Sequence, residues 1–205
     1  MLLNEQNLKN LDLKIKNFEE NTKGEIRLAV LTSSDPYPGA NYRLSFTLSF
    51  LFTALIEIFF PLGGEQALLL VLAFLLLNFF CAPYLPFRSL FILPSEKERE
   101  VKEKAMTLFC TQGLANTQNR IGILLFISAL EKKIELIVDQ TILQKLGQET
   151  LDQIVKEITA YFKKSEYEAG LVAALAHLEK ELLVAFPQGL QEKLQDELSN
   201  KIILD

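Results

Sequence analysis

The stretch IGILLFISALEKKIELIVD, residues 121–139, decides the fold class of this 205-residue chain. Residues 121–128 are almost wholly apolar, which is typical of a strand buried on both faces of a sheet. The ALEKK segment that follows is too short for a helical crossover, and residues 134–138 form a second apolar stretch of strand length. The stretch therefore predicts two antiparallel strands joined by a short turn, the first of them central in its sheet.

Helices and a further strand are expected on the N-terminal side of this pair. Residues 5–20 repeat apolar side chains at helical spacing, residues 25–32 alternate like a strand, and a capping pattern at Ser95 predicts another helix start. A strand–helix–strand connection joins parallel strands, so 25–32 should run parallel to 121–128. The sequence thus predicts an α/β fold, a small mixed-sheet α/β sandwich. Two more helices are expected after the strand pair, one from about Thr150 and one over 166–185.

An almost uncharged block interrupts this domain after its first strand. Residues 44–62 form an apolar run of 19 with one charge, and residues 66–82 form a run of 17 with none. A helix of about 17–25 residues crosses a bilayer, and neither run has the polar stripe of an amphipathic core helix. We therefore expect a transmembrane helical hairpin over 42–84, inserted into a split α/β domain of 1–40 and 88–205. The alternative is a buried helical hairpin in a soluble core.

Basic residues set the expected orientation of the hairpin. No Lys or Arg occurs between Arg43 and Arg88, so both ends of the hairpin should lie on the cytoplasmic side of the membrane and its tip on the other. Both chain termini are then cytoplasmic. Lys132 and Lys133, in the turn between the two later strands, should face the membrane surface, where anionic lipid attracts them.

Three polar residues stand out inside the hairpin. Counting outward from the turn places Ser49 and Asn78 at the same depth, where a hydrogen bond would tie the spans together. Glu57 lies close to the far interface. It is either an interfacial acid or an ion or partner contact within the membrane.

Composition and motif spacing exclude several classes of function. The formal net charge of −5 argues against a general nucleic-acid binder, which needs a basic surplus. No metalloprotease, P-loop or serine-hydrolase motif is present, and the single histidine, His177, has no partner at zinc-ligand spacing. Neither Cys81 nor Cys110 has the arginine six positions later that a cysteine-based phosphate loop requires.

The predicted topology gathers five polar residues at the sheet edge that points away from the hairpin. Two carboxylates can supply oxygens to Ca²⁺ or Mg²⁺, and an arginine can bind phosphate or pair with the acids. Three interpretations stay open: a network of ion pairs that closes the sheet, a metal or anion site, and catalysis. No cofactor is certain on these residues. The five residues are Thr22, Glu25, Thr117, Arg120 and Asp139.

Several segments together resemble the TPM domain family, which takes its name from a thylakoid lumen protein, a photosystem II repair protein and a receptor-associated protein. The sharpest motif is T-x-x-R-x-G followed by strand, turn, strand and Asp. The layout is similar to bacterial membrane members that carry a two-span insertion after the first strand. The segments are TKGEIRLAV (22–30), GLANTQNRIGILLFISALEKKIELIVDQTI (113–142) and FPQ…DELSNKIILD (186–205).

This resemblance implies an α/β sandwich and two kinds of function. Some members are weak acid phosphatases or bind divalent cations, and others are auxiliary factors in the assembly, repair or function of membrane proteins. We therefore predict a protein of the bacterial inner membrane that acts as a non-catalytic accessory or binding module. Its expected partners are the lipid bilayer and a membrane protein. The alternative is a weak acid phosphatase that depends on a divalent cation.

Overall fold

The computed structural model describes residues 4–22, 24–61, 63–117, 120–186 and 202–204. The motif predicted over 186–205 lies almost entirely outside these residues. The chain divides into two compact units, one made of 1–34 and 101–205 and the other of 35–100. In chain order, the helices and strands are α1 (Glu5–Asn21), β1 (Glu25–Leu31), α2 (Pro38–Phe59), α3 (Gly64–Cys81), α4 (Pro94–Thr111), β2 (Gly122–Ser128), β3 (Lys133–Val138), α5 (Gln140–Lys163), α6 (Tyr167–Ala185) and β4 (Ile203–Leu204).

The first unit is built on a four-stranded mixed sheet with the order β3-β2-β1-β4. β1 runs parallel to β2, in a register that starts at Glu25 opposite Gly122, and β3 runs antiparallel to β2. All seven residues of β2 are buried, as expected for a central strand. The predicted α/β class and mixed sheet are therefore confirmed, and β4 adds a short parallel edge pair at Ala29 and Ile203.

Each face of this sheet has its own apolar core. On one face, Ile26, Leu28 and their neighbours on β2 pack against apolar side chains of α1, α5 and α6. On the other face, Ala29 and Leu124 pack against α4 and the turn around Leu114. The alternation along β1 assigns Glu25 to this second face, together with Ala29. Polar residues at the start of β1 are therefore placed beside the smaller core.

The helix after β3 starts earlier than its capping pattern indicates. α5 begins at Gln140 and continues past Gly147, whose φ of 77° and ψ of 157° break the helical path. Thr150 does not cap a helix start, because its hydroxyl donates to the Leu146 carbonyl oxygen at 2.9 Å, four residues back. α5 thus consists of two helical segments that meet at Gly147, and the second begins close to the predicted start at about Thr150.

The second unit contains two apolar helices that pack against each other. Phe52 of α2 lies 5.5 Å from Phe74 of α3 between ring centroids, and Tyr42 lies 5.3 Å from Phe79. These pairs match the start of one helix with the end of the other, so α2 and α3 form an antiparallel hairpin. α2 begins at Pro38, several residues before the expected span. Two short 3-10 helices, Ala82–Tyr84 and Pro86–Phe91, lead from α3 toward α4.

Candidate functional site

The two carboxylates predicted at the sheet edge lie in one row across the sheet. The Glu25 amide donates to the Ile121 carbonyl oxygen at 3.0 Å, in the register that pairs Glu25 with Gly122. On the other side of β2, the Asp139 amide donates to the Gly122 carbonyl oxygen at 3.0 Å. Neighbouring strands lie about 4.8 Å apart, so the backbones of Glu25 and Asp139 are separated by roughly 10 Å.

Main chain fills the space between these two acids. A Cβ atom built on Gly122 would stand 2.9 Å from the carbonyl carbon of Leu114, a fully buried residue. Partners in register point to the same face of a sheet, so the Leu114 carbonyl lies beside the Glu25 side chain. Among the described residues, no group of three or more His, Cys, Asp or Glu can hold a metal ion. Glu25 and Asp139 therefore do not by themselves provide the roughly six to eight oxygens of a Ca²⁺ shell.

The two threonines of the predicted cluster hold turns together. The Thr22 hydroxyl donates to the Phe18 carbonyl oxygen at 2.8 Å and accepts the Gly24 amide at 3.2 Å, which closes the end of α1. The Thr117 hydroxyl accepts the Ile121 amide at 3.2 Å in the turn before β2. Both threonines are buried. Their hydroxyls therefore position the strand starts and do not point to a ligand.

The arginine predicted for this site lies in an exposed turn. Arg120 is exposed, and its φ of 51° puts it in the left-handed region that few side-chain-bearing residues adopt. Its amide donates to the Thr117 carbonyl oxygen at 3.0 Å, so its backbone completes a tight turn. The structure therefore does not bury Arg120 between Glu25 and Asp139.

A different arginine is buried at this edge. Arg27 is 7% exposed and lies two residues after Glu25, on the same face of β1. Burial lowers the pKa of the Arg27 guanidinium, and the nearby charges of Glu19 and Glu25 raise it. Glu19 is also buried, and its Oε1 accepts the Ile26 amide at 3.1 Å. The start of β1 thus brings together the buried Arg27, the buried Glu19 and the partly buried Glu25.

Sequence reasoning missed Arg27 and Glu19. The available signal was a single cation inside the otherwise apolar EIRLAVL segment, two positions from Glu25. A cation in a buried strand needs carboxylate partners, because desolvation penalises an isolated charge. Of the three interpretations, the charges of Glu19 and Glu25 near Arg27 favour an ion-pair network.

A second buried carboxylate lies at the opposite end of the strands. Glu131, in the turn between β2 and β3, accepts the Ser34 amide at 3.0 Å and the Ser33 hydroxyl at 3.3 Å. The hydroxyl of the buried Ser128 donates to its other oxygen. Glu131 therefore ties the loop after β1 to the turn. Beside it, Lys132 is exposed and adopts a left-handed φ of 54°.

The polar residues of the hairpin lie at the contact between its helices. The Asn78 side-chain amide donates to the Ser49 hydroxyl oxygen at 3.4 Å, and both residues are buried. The Ser49 hydroxyl in turn donates to the Ser45 carbonyl oxygen at 2.6 Å. Glu57 is exposed near the end of α2. Thr53, one turn beyond Ser49, has a buried hydroxyl with no hydrogen-bond partner among the described residues.

The two arginines that flank the hairpin form hydrogen bonds at its base. Arg43 makes a two-pronged contact with Glu96, with Nη1–Oε1 and Nη2–Oε2 distances of 3.0 and 2.5 Å, and donates through Nε to the Phe91 carbonyl oxygen at 2.8 Å. Arg88 donates to the Asn41 side-chain oxygen at 2.5 Å. The Arg43 hydrogen bond lowers the pKa of Glu96. These contacts join the start of α2 to the segment after α3 and to the start of α4.

Comparisons with known proteins were made for the whole chain. Residues 89–181, which include nearly all of α4 to α6, match the TPM domain family. The structure resembles the NMR structure of the BA42 protein from the psychrophilic bacterium Bizionia argentinensis, with a TM-score of 0.62 and 18% identity, over 99% of this chain and 95% of that one. This likeness concerns the fold alone. No curated protein sequence matches the chain. The chain carries a TPM domain, as its motifs predicted.

Proposed function

We propose that this protein is anchored in a membrane through the α2–α3 hairpin. Two helices are long and apolar enough to cross a membrane, Pro38–Phe59 with 22 residues and Gly64–Tyr84 with 21. At 1.5 Å per residue they are about 32 Å long, close to the roughly 30 Å of a bilayer core. Length and composition alone do not separate such helices from the core helices of a soluble protein.

The observation that carries the proposal is the exposure of the hairpin. Only 22% and 11% of the apolar 18-residue stretches of the two helices are buried, whereas the core helix of a soluble protein is mostly buried. Ile58, Phe59 and Phe80 each expose 70% or more of their surface. Exposed apolar surface on this scale marks a membrane or protein contact. The few buried polar side chains, Ser49 and Asn78 among them, lie between the helices, where membrane hairpins place them.

Orientation follows from the charges at the base of the hairpin. Arg43 and Arg88 lie at its base and Glu65 at its tip, so we place the base on the cytoplasmic side of a bacterial inner membrane. Both chain termini, and Lys132 and Lys133, are then cytoplasmic.

For the biochemical role we propose a non-catalytic accessory module that binds a membrane protein and assists its assembly, repair or maintenance. In support, the polar residues at the sheet edge are committed to structure, with Thr22 and Thr117 in turns and Arg27 buried near Glu19 and Glu25. Among the described residues we find no complete nucleophile or metal set. The alternative, a divalent-cation-dependent acid phosphatase, has no specific observation in its favour there.

Cysteine labelling tests the anchoring. The native Cys81 and Cys110 are replaced by Ser, and single cysteines are introduced as Glu65→Cys at the tip and Lys104→Cys on α4. In intact spheroplasts, an impermeant maleimide should label the tip variant and should label the Lys104→Cys variant only after lysis. Equal labelling of both, or release of the protein from membranes by alkaline carbonate, would contradict the anchoring.

A binding and activity experiment tests the role. The detergent-purified protein is titrated calorimetrically with Ca²⁺ and Mg²⁺ and assayed for phosphate release from a chromogenic ester, beside Glu25→Gln and Asp139→Asn variants. The expected result is no cation-dependent phosphate release, together with crosslinking to a membrane protein in native membranes. Cation-dependent release that either variant abolishes would overturn the accessory role and establish the phosphatase.

A further inference from the structure

A cleft of about 540 Å³ opens in the unit formed by 1–34 and 101–205. It lies where the β2–β3 turn meets the end of α5 and the start of α6. Its volume falls within the roughly 300–1,000 Å³ of pockets that bind small molecules. It is distinct from the sheet edge at Glu25, because its strand residues come from the opposite ends of β2 and β3.

Among the described residues that line this cleft, three are lysines and none is acidic. Lys132 and Lys133 come from the turn and Lys163 from the last turn of α5. Glu131, buried in the same turn, accepts hydrogen bonds from Ser33 and Ser34. In a concave site, the positive charges of Lys132 and Lys163 reinforce each other and favour an anion.

The rest of the lining is mainly apolar. Phe162 and Tyr167 meet edge to face, with ring centroids 5.0 Å apart, and Ile127 and Ile134 of the two strands also line the cleft. Ile127 is almost fully buried and Phe162 packs against the main core, so these residues have a fixed position. An apolar wall beside cationic groups matches a ligand that is apolar at one end and acidic at the other.

We propose that this cleft binds an amphiphilic anion, an acidic head group joined to an apolar body. The head group interacts with Lys132, Lys133 and Lys163, and the body lies against Phe162 and Tyr167. Such an anion has two sources, a free molecule in solution or an anionic membrane lipid. The proposal is independent of the accessory role, since it requires only the cleft itself.

The test measures binding of naphthalene-2-sulfonate, a small aromatic anion, to the full chain in phosphatidylcholine nanodiscs. Calorimetry with empty nanodiscs subtracted gives the affinity. The triple variant Lys132→Asn, Lys133→Gln, Lys163→Gln should bind at least tenfold more weakly. Asparagine at 132 suits the left-handed backbone there. The matched control Lys156→Gln, on an exposed part of α5 that does not line the cleft, should bind like the parent.

Further measurements distinguish recognition of the negative charge from nonspecific hydrophobic binding, and identify the source of the anion. The matched cation 2-naphthylmethylammonium should bind at least tenfold more weakly than the sulfonate. Raising the salt to about 1 M, where the Debye length falls to about 3 Å, should weaken sulfonate binding. Nanodiscs with added phosphatidylglycerol identify the source of the natural ligand. If this lipid reduces sulfonate binding by the parent protein but not by the triple variant, the natural ligand is a membrane lipid. If sulfonate binding by the parent is unchanged, the natural ligand is a free anion. Equal binding of cation and anion, or a triple variant that binds like the parent while its circular dichroism is unchanged, overturns the proposal.

Discussion

At the scale of single residues, Gly122 is a position with no room for a side chain. It stands between Glu25 and Asp139, and the Leu114 carbonyl group lies where its side chain would be. A carbonyl of the main chain cannot rotate away as a flexible side chain can. The close approach of the turn around Leu114 to β2 therefore requires glycine for reasons of space, although the backbone here is an ordinary strand.

Gly122→Ala should destabilise the protein strongly. The added methyl group forces the turn around Leu114 to move, and overpacking of a core commonly costs about 1–3 kcal/mol. We expect the upper end of that range in the free energy of unfolding, measured by urea denaturation followed by circular dichroism. The control is Gly64→Ala, because a Cβ there meets nothing within 4 Å. A change of less than about 0.5 kcal/mol for Gly122→Ala would contradict the packing described here.

Arg43→Gln should remove an acid-sensitive contribution to the stability of the hairpin base. The Arg43 hydrogen bond holds the pKa of Glu96 below its usual 4.5. A carboxyl whose pKa is lowered on folding contributes its full stabilisation above the usual pKa, and loses it as the pH falls through the lowered one. Carbon-13 NMR titration of the Glu96 carboxyl should show its pKa rising in Arg43→Gln and unchanged in Lys102→Gln, a control on the same helix. An unchanged Glu96 pKa in Arg43→Gln would show that the contact does not form in solution.

Single residues also show where sequence reasoning stops. Topology alone brings Glu25 and Asp139 to the same row, since parallel and antiparallel pairing fix which strand ends meet. Nothing in the spacing reveals that Leu114 separates them, because that depends on how the preceding turn folds back onto Gly122. Arg27 was also not singled out from the sequence. Arg27 looked like one polar position of an alternating strand, whereas β1 is buried on both faces.

At the scale of elements, the hairpin was the most predictable part of the protein. Two antiparallel helices joined by a tight turn bring residues equally distant from the turn to the same level, so counting places Ser49 opposite Asn78. The structure has a 3.4 Å hydrogen bond between them. The first segment of α5, before Gly147, was less predictable, because residues 140–146 were expected to form a loop.

Asn78→Leu should loosen the hairpin without unfolding it. The substitution removes the contact with Ser49, and interhelical hydrogen bonds in membranes contribute about 0.6 kcal/mol on average and up to about 1.7. The midpoint of unfolding in dodecyl sulfate titrations should fall accordingly. Leu77→Ala, a change at a neighbouring exposed position, serves as the control and should shift the midpoint less. A larger shift in the control than in Asn78→Leu would assign the hairpin's stability to the exposed apolar surface.

At the scale of the whole molecule, the chain is an α/β unit interrupted by an apolar insertion. Neither core cluster of the sheet includes a residue from 35–100. Composition predicts an insertion over 42–84 because charges are sparse there, and the second unit of the structure, 35–100, contains that range. The role of the protein was less accessible, since one fold can support several functions and the fold alone does not select among them.

Replacing residues 44–91 with a flexible Gly/Ser linker should therefore leave the α/β unit folded and make it soluble without detergent. The reason is that both faces of the sheet keep their complete apolar cores, while the exposed apolar surface of α2 and α3 is removed. A single cooperative thermal transition and dispersed amide NMR signals in detergent-free buffer are the expected result. The matched control keeps the linker and adds Gly122→Ala, which should lower the midpoint of that transition. A variant that aggregates, or that shows helical signal without a cooperative transition, would mean that the insertion is needed for the sheet to fold.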